Sequence, residues 1–150
     1  PPALSTSINL LFFLLLLVTE CFRHVLSGDE VFAISLTDGV GSRNNPNNNQ
    51  VQSRVEASKK ASFVLGFKWI NTKLFPDNKM DTISILDVVK EVESVKNLVK
   101  PSIVYTHSFA DLNIDHQIVH RSVITAFRPQ PGEFFKEIRT FEIPSSTPDS

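Results

Sequence analysis

Apolar residues fall along the chain in short blocks separated by polar, turn-forming stretches, and the spacing within the blocks switches between two periods. Val31-Phe32-Ala33-Ile34-Ser35-Leu36 is continuous and rich in β-formers. It lies between the turn signals Ser27-Gly28-Asp29 and Thr37-Asp38-Gly39, and predicts a buried parallel strand over 31–36. Asn44-Asn45-Pro46-Asn47-Asn48-Asn49 buries too little apolar surface to offset its ordering entropy, and predicts a mobile loop. Val51, Val55, Ala61, Val64 and Leu65, closed by Gly66, predict a helix over 50–65. A short strand over 67–70 and a loop over 74–78 follow. Ile83, Leu86, Val89, Val92, Val95 and Leu98 recur at helical spacing, from an opening at Asp81 or Thr82 to a stop at Lys100-Pro101. Residues 102–106 read as a strand ending at His107. Asn113 is placed to cap a helix over 114–127 with Ile118, Val119, Val123, Ala126 and Phe127 on its buried face, and 137–143 is a last strand. Strands alternating with helices predict an α/β fold: a mainly parallel sheet with helices on both faces, in three layers.

The amino-terminal end does not share this pattern. Leu10 to Val18 is an unbroken apolar run of nine residues, short of the roughly 20 that span a bilayer but within the range of a signal-peptide core. Three readings stay open: a buried strand or helix of the core, a targeting or membrane-anchoring segment, and a reading-frame artefact. The domain division is therefore 1–22, an apolar segment of uncertain origin, and 23–150, a partial α/β domain. Pro1-Pro2 at one end and Pro144–Ser150 at the other both read as cut.

Composition narrows the function classes. The chain is 41% hydrophobic and 21% charged, with a net charge of −1, so it lacks the basic surface by which nucleic-acid binders displace counterions. Its single cysteine, Cys21, excludes a disulfide-stapled fold and a multi-cysteine zinc module. No G-x-G-x-x-G follows a strand, which weighs against a dinucleotide site. Nothing in the sequence sets an oligomeric state. Candidate chemistry gathers instead where a strand ends: His107, Asp111, Asn113, Asp115, His116 and His120 share one loop and the first turns of one helix. In open α/β sheets ligands bind beyond the carboxyl ends of strands, and imidazoles with carboxylates are catalytic-zinc ligands. Each residue also has a plain structural reading. Asn113 caps a helix, Asp115 complements its dipole, His107 ends a strand, and His120 lies on a partly solvated helix face.

The string Tyr105-Thr106-His107 … Asp111-Leu112-Asn113-Ile114-Asp115-His116-Gln117-Ile118-Val119 resembles the LmbE-like, or PIG-L, zinc-dependent N-deacetylases. Gly28-Asp29-Glu30-Val31, Thr37-Asp38-Gly39-Val40, Ser42-Arg43, Arg54-Val55-Glu56, Phe75-Pro76-Asp77-Asn78 and Phe141–Thr147 resemble the same family in the same order, over roughly 23–147. The resemblance implies a Rossmann-like sandwich that hydrolyses the N-acetyl amide of an amino sugar or glycoconjugate with Zn2+ as cofactor. It implies His116 as the metal ligand, and Asn113, Asp115 and His107 as catalytic-site residues. Arg43, Arg54, Asp77 and Asp111 are implied near the substrate. Asn113 stands where many members carry His; it can still donate to an oxyanion. The expected place is the cytoplasm, with membrane association or export through residues 10–18 as the alternative. One departure is large. The family's early H-P-D-D-E should fall near residues 9–13, which here read Asn9-Leu10-Leu11-Phe12-Phe13. One of three expected zinc ligands remains, so zinc occupancy and activity are expected to be impaired. The alternative is a carbohydrate-binding remnant without catalysis.

Overall fold

The computed structural model describes residues 18–37, 39, 48–133 and 135–141, with backbone alone at 48–51 and 54. Helix α1 covers 18–26. Strand β1 (Phe32–Ala33) follows, then helix α2 (Asn48–Leu65), strand β2 (Lys68–Trp69), a one-turn 3-10 helix (Met80–Thr82), helix α3 (Ile85–Val99), strand β3 (Ile103–His107), helix α4 (Ile114–Ala126) and strand β4 (Glu137–Phe141). The alternation expected of an α/β chain is present. Every strand pairing among the described residues is parallel: β1 with β2, β3 with β4, and a bridge between Thr37 and Phe75.

The first strand is much shorter than the block at 31–36 predicts, and polar side chains explain where it breaks. Lys68 N–H donates to Val31 O (2.8 Å), Ile70 N–H to Ala33 O (2.9 Å) and Phe75 N–H to Leu36 O (2.7 Å). Between these, the Ser35 carbonyl accepts the Thr72 hydroxyl (2.5 Å) instead of an amide. The Ser35 hydroxyl turns back to Thr37 O (2.9 Å). The ladder is interrupted by side-chain bonds that compete with it, one from Thr72 across to Ser35 and one local to Ser35 and Thr37. The expected single sheet is, among the described residues, two parallel pairs.

One core covers both pairs. Leu36 and Phe75 come from the first half, Met80, Val88, Val89 and Val92 from the 3-10 turn and α3, and Ile118, Val123, Ala126 and Phe127 from α4 and its end. Helix α3 begins at Ile85, not at Asp81 or Thr82, because Ile83 is extended (φ −101, ψ 141) and ends the 3-10 turn. Its buried stripe is Val88, Val89 and Val92; Leu86 (55% exposed) and Leu98 (72%) lie off it. Helix α4 buries Ile118, Val123 and Ala126 as expected, with Val119 half-buried. Lys96 ties the two helices. Its Nζ donates to Ala126 O (2.9 Å) and to Glu133 (2.5 Å) while lying over the Phe127 ring.

Helix α2 opens at Asn48, so the last two residues of the expected loop, Asn48 and Asn49, are helical. The expected apolar face is only partly covered: Val55 and Leu65 are half-buried, Ala61 and Val64 (77%) are exposed, and Ser62 is buried instead. The helix does stop at Gly66, whose φ of +78 is left-handed. A Cβ there would stand 2.8 Å from Val25 of α1, so glycine also allows α1 to approach. A second clasp joins α1 to the other half. His24 Nδ1–H donates to Asp29 (2.7 Å), leaving Nε2 to accept the Tyr105 hydroxyl of β3 (3.0 Å). Arg139 of β4 donates to the same hydroxyl oxygen (2.7 Å). No helix among the described residues is long and apolar enough to cross a membrane. Residues 10–17 of the apolar run, and 9–13 with them, lie outside the described residues.

Candidate metal centre

Strand β3 delivers His107 to its carboxyl end, where it pairs in register with Phe141 of β4 and their rings lie 4.8 Å apart. The chain then winds tightly into α4. Asp111 N–H donates to Ser108 O (3.3 Å), and Asn113 N–H to Asp111 Oδ1 (2.9 Å). Gln117 Nε2 returns from the helix to Asp111 O (2.6 Å). Asn113 is extended and its Oδ1 accepts the N–H groups of Asp115 (2.8 Å) and His116 (3.3 Å), the cap its position predicts. Its Nδ2 is left as the donor, 3.5 Å from Asn78 Oδ1.

These turns bring His107, Asp111 and His116 together, with one ligand-type atom from each lying within 4.8 Å of the others. Asp111 is buried, its Oδ2 2.8 Å from His116 Nδ1. Burial pushes its carboxyl up, but the Asn113 amide and the His116 ring outweigh burial and hold it below the ordinary carboxylate value. The His107 and His116 rings stack at 3.9 Å between centroids and 5° between planes. Burial, with His116 adding to it, lowers His107 to about 4, so this ring is neutral at pH 7. Its Nδ1 is buried and has no hydrogen-bond partner among the described residues.

Two imidazoles and a carboxylate are a donor set that suits zinc, and an unpartnered buried ring nitrogen is what a missing electrophile leaves behind. The residue types fit a divalent metal. The two stacked rings aim their in-plane lone pairs along parallel lines, so as they stand His107 and His116 do not converge on one point.

Asp115 is buried beside the cluster but turned away from it. Its Oδ2 accepts Asn78 N–H (2.6 Å) and its Oδ1 accepts Met80 N–H (3.1 Å), so it orients the loop ahead of the 3-10 turn. His120 lies on the partly solvated face expected of it and also makes a bond that spacing did not predict. It is half-buried and its Nδ1–H donates to His107 O (2.8 Å), bracing the end of β3. Asp77 accepts the Thr37 hydroxyl (3.4 Å). Thr37, with Ser35, Trp69 and Thr72, lines a cavity of about 130 Å3 at the end of β1. Arg43 is outside the described residues, and for Arg54 only the backbone on α2 is described. The Asp111–His116 pair is the feature that residue types alone missed. Its only signal was five-residue spacing across a helix start.

The family model for PIG-L, described as GlcNAc-PI de-N-acetylase, matches residues 17–127, which include the whole cluster. The chain belongs to the PIG-L family. Its fold is that of a solved relative, the conserved protein TT1542 from Thermus thermophilus, with a TM-score of 0.63 and 23% identity over 89% of this chain. The PIG-L chain spans 61% of the length of that protein. At this identity the likeness speaks for the fold alone: an α/β, Rossmann-like sandwich with parallel strands. No curated protein sequence matches the chain.

Proposed function

We propose that this PIG-L chain carries the metal corner of an N-deacetylase, an amide hydrolase for an N-acetylated amino sugar or glycoconjugate. The observation that supports the reading most is the His107–Asp111–His116 cluster at the carboxyl end of β3, inside the span matched to the family. His116 is the side chain that would hold the metal, by Nε2, since Nδ1 faces Asp111. A bound zinc would polarise the acetyl carbonyl and activate water at that place.

The chain's own residues divide the remaining work. Asn113 spends Oδ1 on the cap and keeps Nδ2, a neutral donor suited to an amide oxygen that gains charge. Asp115 fixes the facing loop through Asn78 and Met80. His107, neutral and stacked, adds no positive charge that would repel a cation. Arg43, Arg54 and Asp77 are proposed for the sugar side of the pocket.

Asn9-Leu10-Leu11-Phe12-Phe13, where the family's early ligands fall, favours a second reading. In it the chain is a remnant that binds an N-acetyl amino sugar without cleaving it. One experiment separates the two: zinc titration of the metal-free chain alongside acetate release from N-acetylglucosamine derivatives. Acetate release that a chelator stops and His116→Ala abolishes supports the hydrolase. Sugar binding with no acetate release supports the remnant.

A further inference from the structure

We propose that Asp111 is a positioning residue: it holds His116 as the Nδ1–H tautomer and so presents Nε2 as the ligand atom. The metal half of this statement rests on the reading of His116 as a ligand; the tautomer does not.

Neutral imidazole carries one proton on two nitrogens, and the hydrogen bond made by one nitrogen decides what the other can bind. An ionised carboxylate only accepts. Asp111 Oδ1 is occupied by the backbone N–H of Asn113 at 2.9 Å, a donor that cannot turn round. Asp111 Oδ2 faces His116 Nδ1 at 2.8 Å. The proton therefore sits on Nδ1. With the Asp111 side chain only 4% exposed, water offers no rival partner. His107 lies face to face with His116 at 3.9 Å, which holds the plane of the ring; within that plane Asp111 decides which edge points where.

This arrangement makes Asp111→Asn an inverted signal, not a simple deletion. The amide has the carboxylate's shape but one acceptor. The Asn113 N–H claims its oxygen, because the opposite rotamer would set two buried donors against each other. The new NH2 then faces His116 Nδ1, which must accept. The proton moves to Nε2, the atom a metal would need.

The test is long-range 1H–15N correlation of the histidine side chains in the metal-free full chain at pH 7.5. His116→Ala assigns the resonances, and zinc titration runs in parallel. Wild type is expected to show a protonated Nδ1 and a bare Nε2. Asp111→Asn should reverse the two nitrogens and weaken zinc binding about 10- to 100-fold, the scale for losing a ligand's hydrogen-bond partner. A wild-type His116 protonated on Nε2, or an even mixture, overturns the proposal even if the variant does not fold. So does an Asp111→Asn protein that keeps the wild-type tautomer. A reversed tautomer with unchanged zinc affinity overturns the positioning role. A reversed tautomer in a chain that binds no zinc leaves Asp111 as the tautomer-setting residue and removes the metal reading of His116 instead.

Discussion

Replacing Asp115 by alanine separates holding a loop from doing chemistry. The carboxylate receives two backbone amides, Asn78 N–H at 2.6 Å and Met80 N–H at 3.1 Å. Asn78 is a non-glycine residue at φ +54, a left-handed conformation that needs support. Met80 is fully buried at the centre of the core. A hydrogen bond to a charged group contributes roughly 1.5–3 kcal/mol, and an amide left buried without a partner costs about as much again as a neutral bond contributes. Asp115 also lies in the first turn of α4, where its charge adds about 0.3–1 kcal/mol. Water entering the gap recovers part of this, and the net loss expected for Asp115→Ala is about 3–4 kcal/mol. At an m-value of about 2 kcal/mol/M in urea, the unfolding midpoint falls by about 1.5–2 M. Asp115→Asn keeps one acceptor and should lose roughly half as much. A fall of under about 0.5 M for alanine would show that the two amides find other partners. Loss of acetate release with an unmoved midpoint would make Asp115 a participant in the reaction.

Tyr105→Phe removes the hydroxyl shared by His24 and Arg139. Paired with His24→Ala in a double-mutant cycle of urea unfolding, it should give a coupling of about 0.5–1.5 kcal/mol; a coupling near zero means that α1 is not clasped to β3 through this bond. His120→Ala should destabilise by about 1 kcal/mol, the bond to His107 O, and leave the metal-free His116 signal in place; an unchanged midpoint leaves His120 with its solvated face alone. In the metal-free chain, stability should fall as pH drops from about 6.5 toward 4. The unfolded state protonates His107 near its ordinary value while the folded state keeps it neutral down to about 4, so the unfolded state binds more protons across that window. After discounting for the partly exposed ring the loss is about 1–2 kcal/mol. His107→Phe should flatten that window, and an unchanged slope would refute the assignment. Asp111, held low, adds its own loss only below the ordinary carboxylate range.

Much of the second half was legible because its signals are local and agree. Asn113 stands one residue before a helix, so its oxygen caps Asp115 and His116. Val89, Val92, Ile118 and Val123 repeat at helical spacing and are buried. Lys100-Pro101 and Gly66 end helices as their backbones require. What failed was set by neighbours distant in sequence. Ser35 lost its strand to a hydroxyl 37 residues away. Val64 belongs to an apolar pattern, yet it is 77% exposed, and α1 comes close just past the end of α2, where Gly66 admits Val25. The bond between Asp111 and His116 is set by the turn of chain between 107 and 116, which residue types do not specify. His120 keeps its partly solvated face, and the bond it also makes to the β3 carbonyl depends on the length of the same turn.

Parallel pairing also has a consequence in time. No two adjacent strands among the described residues are joined by a hairpin: Phe32 finds Lys68 and Ile103 finds Glu137. Each pair must close a long loop before any ladder bond forms, which places folding on the slow side for the chain's size. During synthesis at about 5–20 residues per second, the partner of Ile103 emerges some 2–7 s after it. For that interval β3 stands with an open edge and the apolar residues Ile103 and Val104 unpaired. Helices α3 and α4, which share a core with the Met80 turn and both precede β4 in the chain, are the elements able to shelter it.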